Sequence, residues 1–124
     1  MEGYKKKVGI LGEKCAERLL IKENYKILEK NFRCKMGEID IIAQDGKYLV
    51  FVEVKTRNNA RYGSPAEAVS YYKQRKIIQV AQYYLLCQRY SGDVRFDVVE
   101  IVIKLQKGMP VIYTANLIKN AFGV

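Results

Sequence analysis

Gly37-Glu38-Ile39-Asp40-Ile41-Ile42-Ala43-Gln44-Asp45-Gly46-Lys47-Tyr48-Leu49-Val50-Phe51-Val52-Glu53-Val54-Lys55 reads as two strands joined by a tight turn. Asp45-Gly46 is a dipeptide that two-residue hairpins favour, and the β-branched and aromatic residues around it suit a pleated surface. The strands are expected over 38–44 and 47–57. Side chains alternate along a strand, so Glu38 and Asp40 share one face of the first, while Phe51, Glu53 and Lys55 share one face of the second. A turn at Asp45-Gly46 sets Asp40 opposite Phe51 and Glu38 opposite Glu53. Asp40 then lies diagonal to Glu53, about 7 Å or less between Cβ atoms. Val50, Val52 and Val54 on one face, with Leu49, Phe51 and Ile41 nearby, predict a sheet covered on both sides, where charged residues are costly.

Working outward, Val8, Leu11, Cys15 and Leu19, with Ala16 and Leu20 beside them, recur at helical spacing and predict a helix over about 8–23 that Asn24 ends. A strand is expected over 25–33. Beyond the hairpin, 58–63 reads as a polar loop. Ser64-Pro65-Ala66-Glu67 then offers an N-cap, a proline at the first helical position and a glutamate three residues after the cap. The helical stretch they open, with some internal break, reaches about residue 89. Ser91-Gly92-Asp93 interrupts it; 94–103 is a β-branched strand, Lys107-Gly108 turns, and 111–114 returns as a short strand, with a short closing helix after it. The expectation is one α/β domain over 1–124, a mixed central sheet flanked by helices in the order α-β-β-β-α-β-β.

The chain of 124 residues has 22 Lys and Arg against 13 Asp and Glu, a net charge of +9, with no His and three Cys. Without imidazole, Ser-His-Asp and Cys-His nucleophile systems and His-ligated zinc are excluded. Hydrolysis would have to run on carboxylates, lysine and metal. Cys15, Cys34 and Cys87 form no C-x-x-C pair, which fits a reducing cytoplasm better than a disulfide framework. No apolar run approaches the roughly 20 residues of a membrane helix, so no membrane partner is expected. The positive surplus favours a polyanion, nucleic acid first.

Asp40 and Glu53 are spaced to share a hard cation such as Mg²⁺ or Mn²⁺, which takes oxygen ligands and keeps waters for a substrate phosphate. Lys55, two positions past Glu53, is placed to orient an attacking water or to offset charge at phosphorus. Glu13 falls at the edge of the apolar stripe of the first helix and can reach inward, whereas Glu17 lies further toward solvent. Gln74 is the polar member of the series Gln74, Ile77, Ile78, Ala81, Tyr84 and Leu85. Arg57, Arg61 and Tyr62 leave the strand just beyond Lys55, and Lys73, Arg75 and Lys76 open the next helical run. All six are candidate phosphate contacts. Tyr83 and Tyr84 are expected to pack. The bland alternative is a solvated charge ladder of Glu38, Glu53 and Lys55 amid ordinary solubilising cations.

These residues also carry a resemblance. Gly12-Glu13 with Ala16, Asn31-Phe32-Arg33, Gly37-Glu38-Ile39-Asp40-Ile41-Ile42, Asp45-Gly46, Phe51-Val52-Glu53-Val54-Lys55-Thr56-Arg57, Gly63-Pro65 and Lys73-Arg75 together resemble the bacterial YraN family, predicted PD-(D/E)XK endonucleases similar to archaeal Holliday-junction resolvases. The resemblance implies a restriction-endonuclease-like core in which Asp40, Glu53 and Lys55 fill the motif, Glu13 matches the first-helix acid and Gln74 the polar helix residue. It implies Mg²⁺ or Mn²⁺ as cofactor, DNA, branched DNA in recombination or repair above all, as substrate, and a symmetric homodimer suited to a four-way junction. Ile39 stands where the literal motif has proline. The alternative from a different class is a nucleic-acid-binding module that keeps the fold without catalysis.

Overall fold

The computed structural model describes residues 2–58 and 69–123. The elements are α1 (Glu2–Lys22), β1 (Lys26–Cys34), β2 (Gly37–Asp45), β3 (Tyr48–Arg57), α2 (Tyr71–Gln88), β4 (Asp93–Gln106) and β5 (Met109–Phe122). The strands form one five-stranded sheet in the order β1-β2-β3-β4-β5. Neighbours are antiparallel except β3 and β4, which run parallel on either side of the α2 crossover.

Alternation along β3 sorts the core into two layers. Val50 and Val52 face α1, meeting Ala16 and Leu20 together with Ile41, Ala43, Val99, Ile101 and Ile103. Leu49 and Phe51 face α2, meeting Ile77, Ile78, Val80, Ala81 and Tyr84 together with Ile42, Phe96 and Val98. Burying such side chains contributes about 1.5–3 kcal/mol each, so the sheet is held from both sides. Asn24 ends α1 in a left-handed conformation (φ 69°), and the Tyr25 amide donates back to Leu20 O at 2.9 Å. Ser70 caps α2, its Oγ accepting from Lys73 N at 3.1 Å, and Arg89 closes the helix at φ 53°. No described helix is long and apolar enough to cross a membrane.

Three expectations are corrected. First, α1 starts at Glu2, six residues before the apolar periodicity becomes visible, because Lys5, Lys6 and Lys7 are good helix formers that need no buried face. Second, the hairpin turns at Gly46-Lys47, with Asp45 paired to Tyr48, so the register is Ile42↔Phe51 and Ile41↔Val52. Gly46 takes the first central position, where the turn needs positive φ (58°), and Asp45 stays in the ladder. Third, the expected short strand and closing helix are one 14-residue strand, β5. The spacing of Leu117, Ile118, Ala121 and Phe122 imitates a helix because a register shift between Phe96 and Val98, at Asn120 (φ 54°), breaks the period of two. Phe122 thereby stacks on Phe96 at 5.2 Å between centroids. The candidate helix start at Ser64-Pro65-Ala66-Glu67 lies outside the described residues.

A buried polar network locks the end of the sheet near the hairpin turn. Asp97, fully buried, accepts from the Tyr25 hydroxyl at 2.6 Å, from Arg95 Nε at 2.9 Å and from the Asn120 amide at 2.9 Å. Arg95 also reaches Asp45 at 2.7 Å. Burial, then the Asp97 carboxylate, push the Tyr25 hydroxyl well above its ordinary titration range. Replacing Asp97 by Ala leaves Arg95 with Asp45 as its carboxylate partner and strips the Tyr25 hydroxyl and the Asn120 amide of their acceptor, and chemical denaturation is expected to show a loss of about 3–5 kcal/mol. An unchanged midpoint would mean that the network carries no stability.

Candidate functional site

The β2–β3 ladder pairs residues up to Ile41↔Val52. One step further along this register, Asp40 faces Glu53. There Asp40 Oδ2 accepts the Val54 backbone N–H at 2.7 Å, so a carboxylate takes a donor that faces β2. On the other side of Asp40, Asn31 stands between the pairs Lys30↔Ile41 and Phe32↔Ile39 with φ 54°, a conformation asparagine tolerates better than most residues. Ile39 consequently joins Ile42 in the α2-side core, three residues away, and simple alternation fails across Asp40. The local distortion, together with the corrected register, brings Asp40 and Glu53 directly together. Glu38 is drawn off instead to Arg33, Nε to Oε2 3.1 Å, and does not face Glu53 as expected.

Glu53 is only 7% exposed. Its pKa is pushed up to about 8, chiefly by burial, then by hydrogen bonding to Asp40 and by the Asp40 charge; Lys73 opposes the shift. Lys73 Nζ, from the first turn of α2, lies 3.5 Å from Glu53 Oε2. Lys55 is exposed and lies beside Glu100 in the parallel ladder. Arg57, expected at a phosphate, pairs with the buried Glu100. Gln74 donates to Val69 O at 2.9 Å, tying the first turn of α2 to the residue preceding its cap. Arg75 is exposed, and Lys76 Nζ sits 5.6 Å from the centre of the Tyr72 ring. Arg61 and Tyr62 lie outside the described residues.

Glu13 is not brought into contact with the pair. It is exposed, whereas Glu17, expected further toward solvent, is half-buried and paired with Lys30 at 3.2 Å. The neighbouring Gly12 fixes how closely α1 approaches β3, since a Cβ there would meet Thr56 Oγ1 at 2.5 Å. Glu13 therefore rides one residue from the strand segment that carries Lys55. Among the described residues no group of three potential metal ligands is assembled. What is assembled is a pair of carboxylates, one buried and one half-buried, with Lys73 beside the buried one. Such a pair can take a cation through its oxygens or hold a proton between them. Glu100 escaped sequence reasoning. Its signal was an acid on the same parity as Phe96 and Val98 inside a β-branched run.

A family model described as "Uncharacterised protein family UPF0102" matches residues 12–101, which contain the acid pair, Lys55 and Glu100. The chain is 47% identical over 119 residues to a UPF0102 protein of Caldanaerobacter subterraneus subsp. tengcongensis, covering 95% of this chain and 96% of the relative. It is 44% identical to a UPF0102 protein of Clostridium kluyveri over 100% of both chains. A UPF0102 protein of Clostridium tetani is 45% identical over 123 residues, 98% of each.

The raised pKa of Glu53 makes stability depend on pH. Because the folded state holds this proton more tightly than the unfolded chain, the stabilisation is full below about 4.5, the ordinary value, and is lost as pH rises through about 8. Glu53→Gln, neutral at every pH, is expected to melt a few degrees above the parent at pH 9 and close to it at pH 5. Parallel melting curves across that range would show that Glu53 ionises normally.

Proposed function

The chain belongs to the UPF0102 family, and we propose that it is a divalent-metal-dependent endonuclease with a PD-(D/E)XK core, hydrolysing DNA phosphodiester bonds at branched or otherwise structured sites. The observation that carries this reading is the meeting of Asp40 and Glu53 where β2 and β3 part, with Lys55 two residues further along β3. Two carboxylates in contact in a buried place repel one another as anions. With no cation, Glu53 relieves the repulsion by keeping a proton. A hard cation relieves it too, while using the oxygens of both acids, so the donor set fits Mg²⁺ or Mn²⁺.

Asp40 and Glu53 would hold the ion, which when bound polarises a phosphoryl oxygen and lowers the pKa of a coordinated water. The remaining work falls to the chain. The Val54 amide fixes the Asp40 carboxylate in orientation. Lys73, 3.5 Å from Glu53, offers its ammonium to a phosphate oxygen when substrate arrives. Lys55, exposed at the strand end, orients the attacking water and offsets charge at phosphorus. Arg57, paired to Glu100, steadies the far side of the site. The net charge of +9 draws the polyanion in. The exposure of Glu13, which leaves two acids in contact rather than three, favours a second reading, a nucleic-acid-binding module that keeps the fold without cleaving.

Labelled duplex, single-stranded, flap and four-way-junction DNA, incubated with the protein and Mg²⁺ or Mn²⁺, separate the two. Cleavage is expected on at least one substrate, to vanish with chelator and with Asp40→Ala, and to fall at least about a hundredfold with Lys55→Ala. Binding without cutting, indifferent to metal and to both substitutions, would leave the module.

A further inference from the structure

Along α2, Tyr72, Lys76, Gln79 and Tyr83 recur at i, i+4, i+7 and i+11, a single stripe about 16 Å long. It lies beside, and apart from, the buried set Ile77, Ile78, Val80, Ala81 and Tyr84. Tyr72 is 72% exposed and Tyr83 43% exposed, although Tyr83 was expected to pack. A helix that spends two aromatic rings on solvent loses their burial energy, so the stripe needs a further explanation. Both rings are held in place. Lys76 Nζ lies 5.6 Å from the centre of Tyr72, and Phe32 braces Tyr83 at 6.4 Å between centroids.

The two ends of the stripe identify what it fits. At one end Lys73 reaches Glu53 of the acid pair. At the other, Tyr83 borders a cavity of about 580 Å³ that Phe32, Met36 and Cys87 also line, with Arg33 and Lys35 among its walls. That volume is in the range of small-molecule sites. Arg33 shares its charge with Glu38, while α2 has no acidic residue among its 18 and adds Lys73, Arg75 and Lys76. Two aromatic faces with a lysine between them, on a helix that carries no acids, match the chemistry of a single nucleic-acid strand, whose bases stack while its phosphates meet lysine.

We propose that the Tyr72–Lys76–Gln79–Tyr83 stripe is a track for an unpaired DNA strand, with one base stacked on Tyr72 and another entering the cavity at Tyr83. This rests on the nucleic-acid reading above and deepens it. Selectivity for branched DNA then comes from the single strand that a branch or flap exposes beside the acid pair, since a duplex keeps its bases stacked inside and can engage only the lysines.

The test is binding in chelator, where nothing is cut. A single-stranded oligodeoxynucleotide carrying 2-aminopurine is expected to lose fluorescence on the protein as the base stacks. Tyr72→Ala and Tyr83→Ala are each expected to weaken single-strand binding at least about fivefold. The corresponding Phe variants should restore it, and duplex affinity should be unaltered. Oligonucleotide should also slow alkylation of Cys87, read by peptide mass. Alanine variants that bind single strands like the parent, or that lose duplex affinity equally, overturn the track. If Asp40-dependent cleavage persists in that case, the nuclease reading survives without it; if no DNA binds in any form, both readings fall.

Discussion

Val50, Phe51 and Val52 have no exposed surface because α1 covers one side of β3 and α2 the other. The polar groups set among them, Asp97 beside Val52 and Glu53 one row further, must therefore be answered by partners. At the end near the hairpin turn, Asp45, Arg95, Asp97 and Tyr25 answer one another and close the interior. One row beyond Asp97 in the β3–β4 ladder, and on the face toward α2, Asp40, Glu53 and Lys73 answer one another incompletely. Glu53 retains a proton there, and Lys73 remains half-exposed. The same burial constraint thus produces a satisfied clamp on one face of the sheet and a reactive pair on the other.

The reactive end lies where a ligand is easiest to admit. β3 and β4 run parallel, with α2 as the crossover, so the carboxyl ends of both strands lie on the same side, the usual place for a site in such a sheet. Glu53, Lys55 and Arg57 come from β3 and Glu100 from β4. The antiparallel neighbour β2 brings Asp40 to them because its pairing with β3 stops at Ile41↔Val52. Gly12, by allowing α1 to touch Thr56, sets the outer wall. A binding surface that continues along α2 uses the same geometry, since that helix starts at the acid pair and runs away from it.

How much of this was legible can be argued residue by residue. The two-sided sheet was readable from the run of valines and aromatics in β3, because a strand buried on both faces has no need of polar alternation. Asp40, Glu53 and Lys55 stood out because charge inside such a run is costly. Their mutual placement was misread by two residues: Asp45-Gly46 and Gly46-Lys47 are both two-residue turns in principle, and the choice depends on where the positive φ falls. The closing strand was misread because a bulge at Asn120 hides the alternation of β5. Glu100 was passed over and Tyr83 misjudged because burial depends on what packs across the sheet or beside the helix, and neighbours in sequence do not reveal it.

By itself the sequence determined the elements from α1 to β4, the two-layered burial of β3, the charged residues set within it and, through the absence of histidine, the exclusion of imidazole-based catalysis. These follow from local periodicity, turn propensity and side-chain identity. Only the tertiary structure decided that Asp40 meets Glu53 directly, that Arg57 is given to Glu100, that Glu13 stays outside, and that Tyr72 and Tyr83 share an exposed stripe. Each of these depends on register, on a positive φ or on a helix set against a sheet, and such long-range geometry is chosen by the free energy of the whole fold.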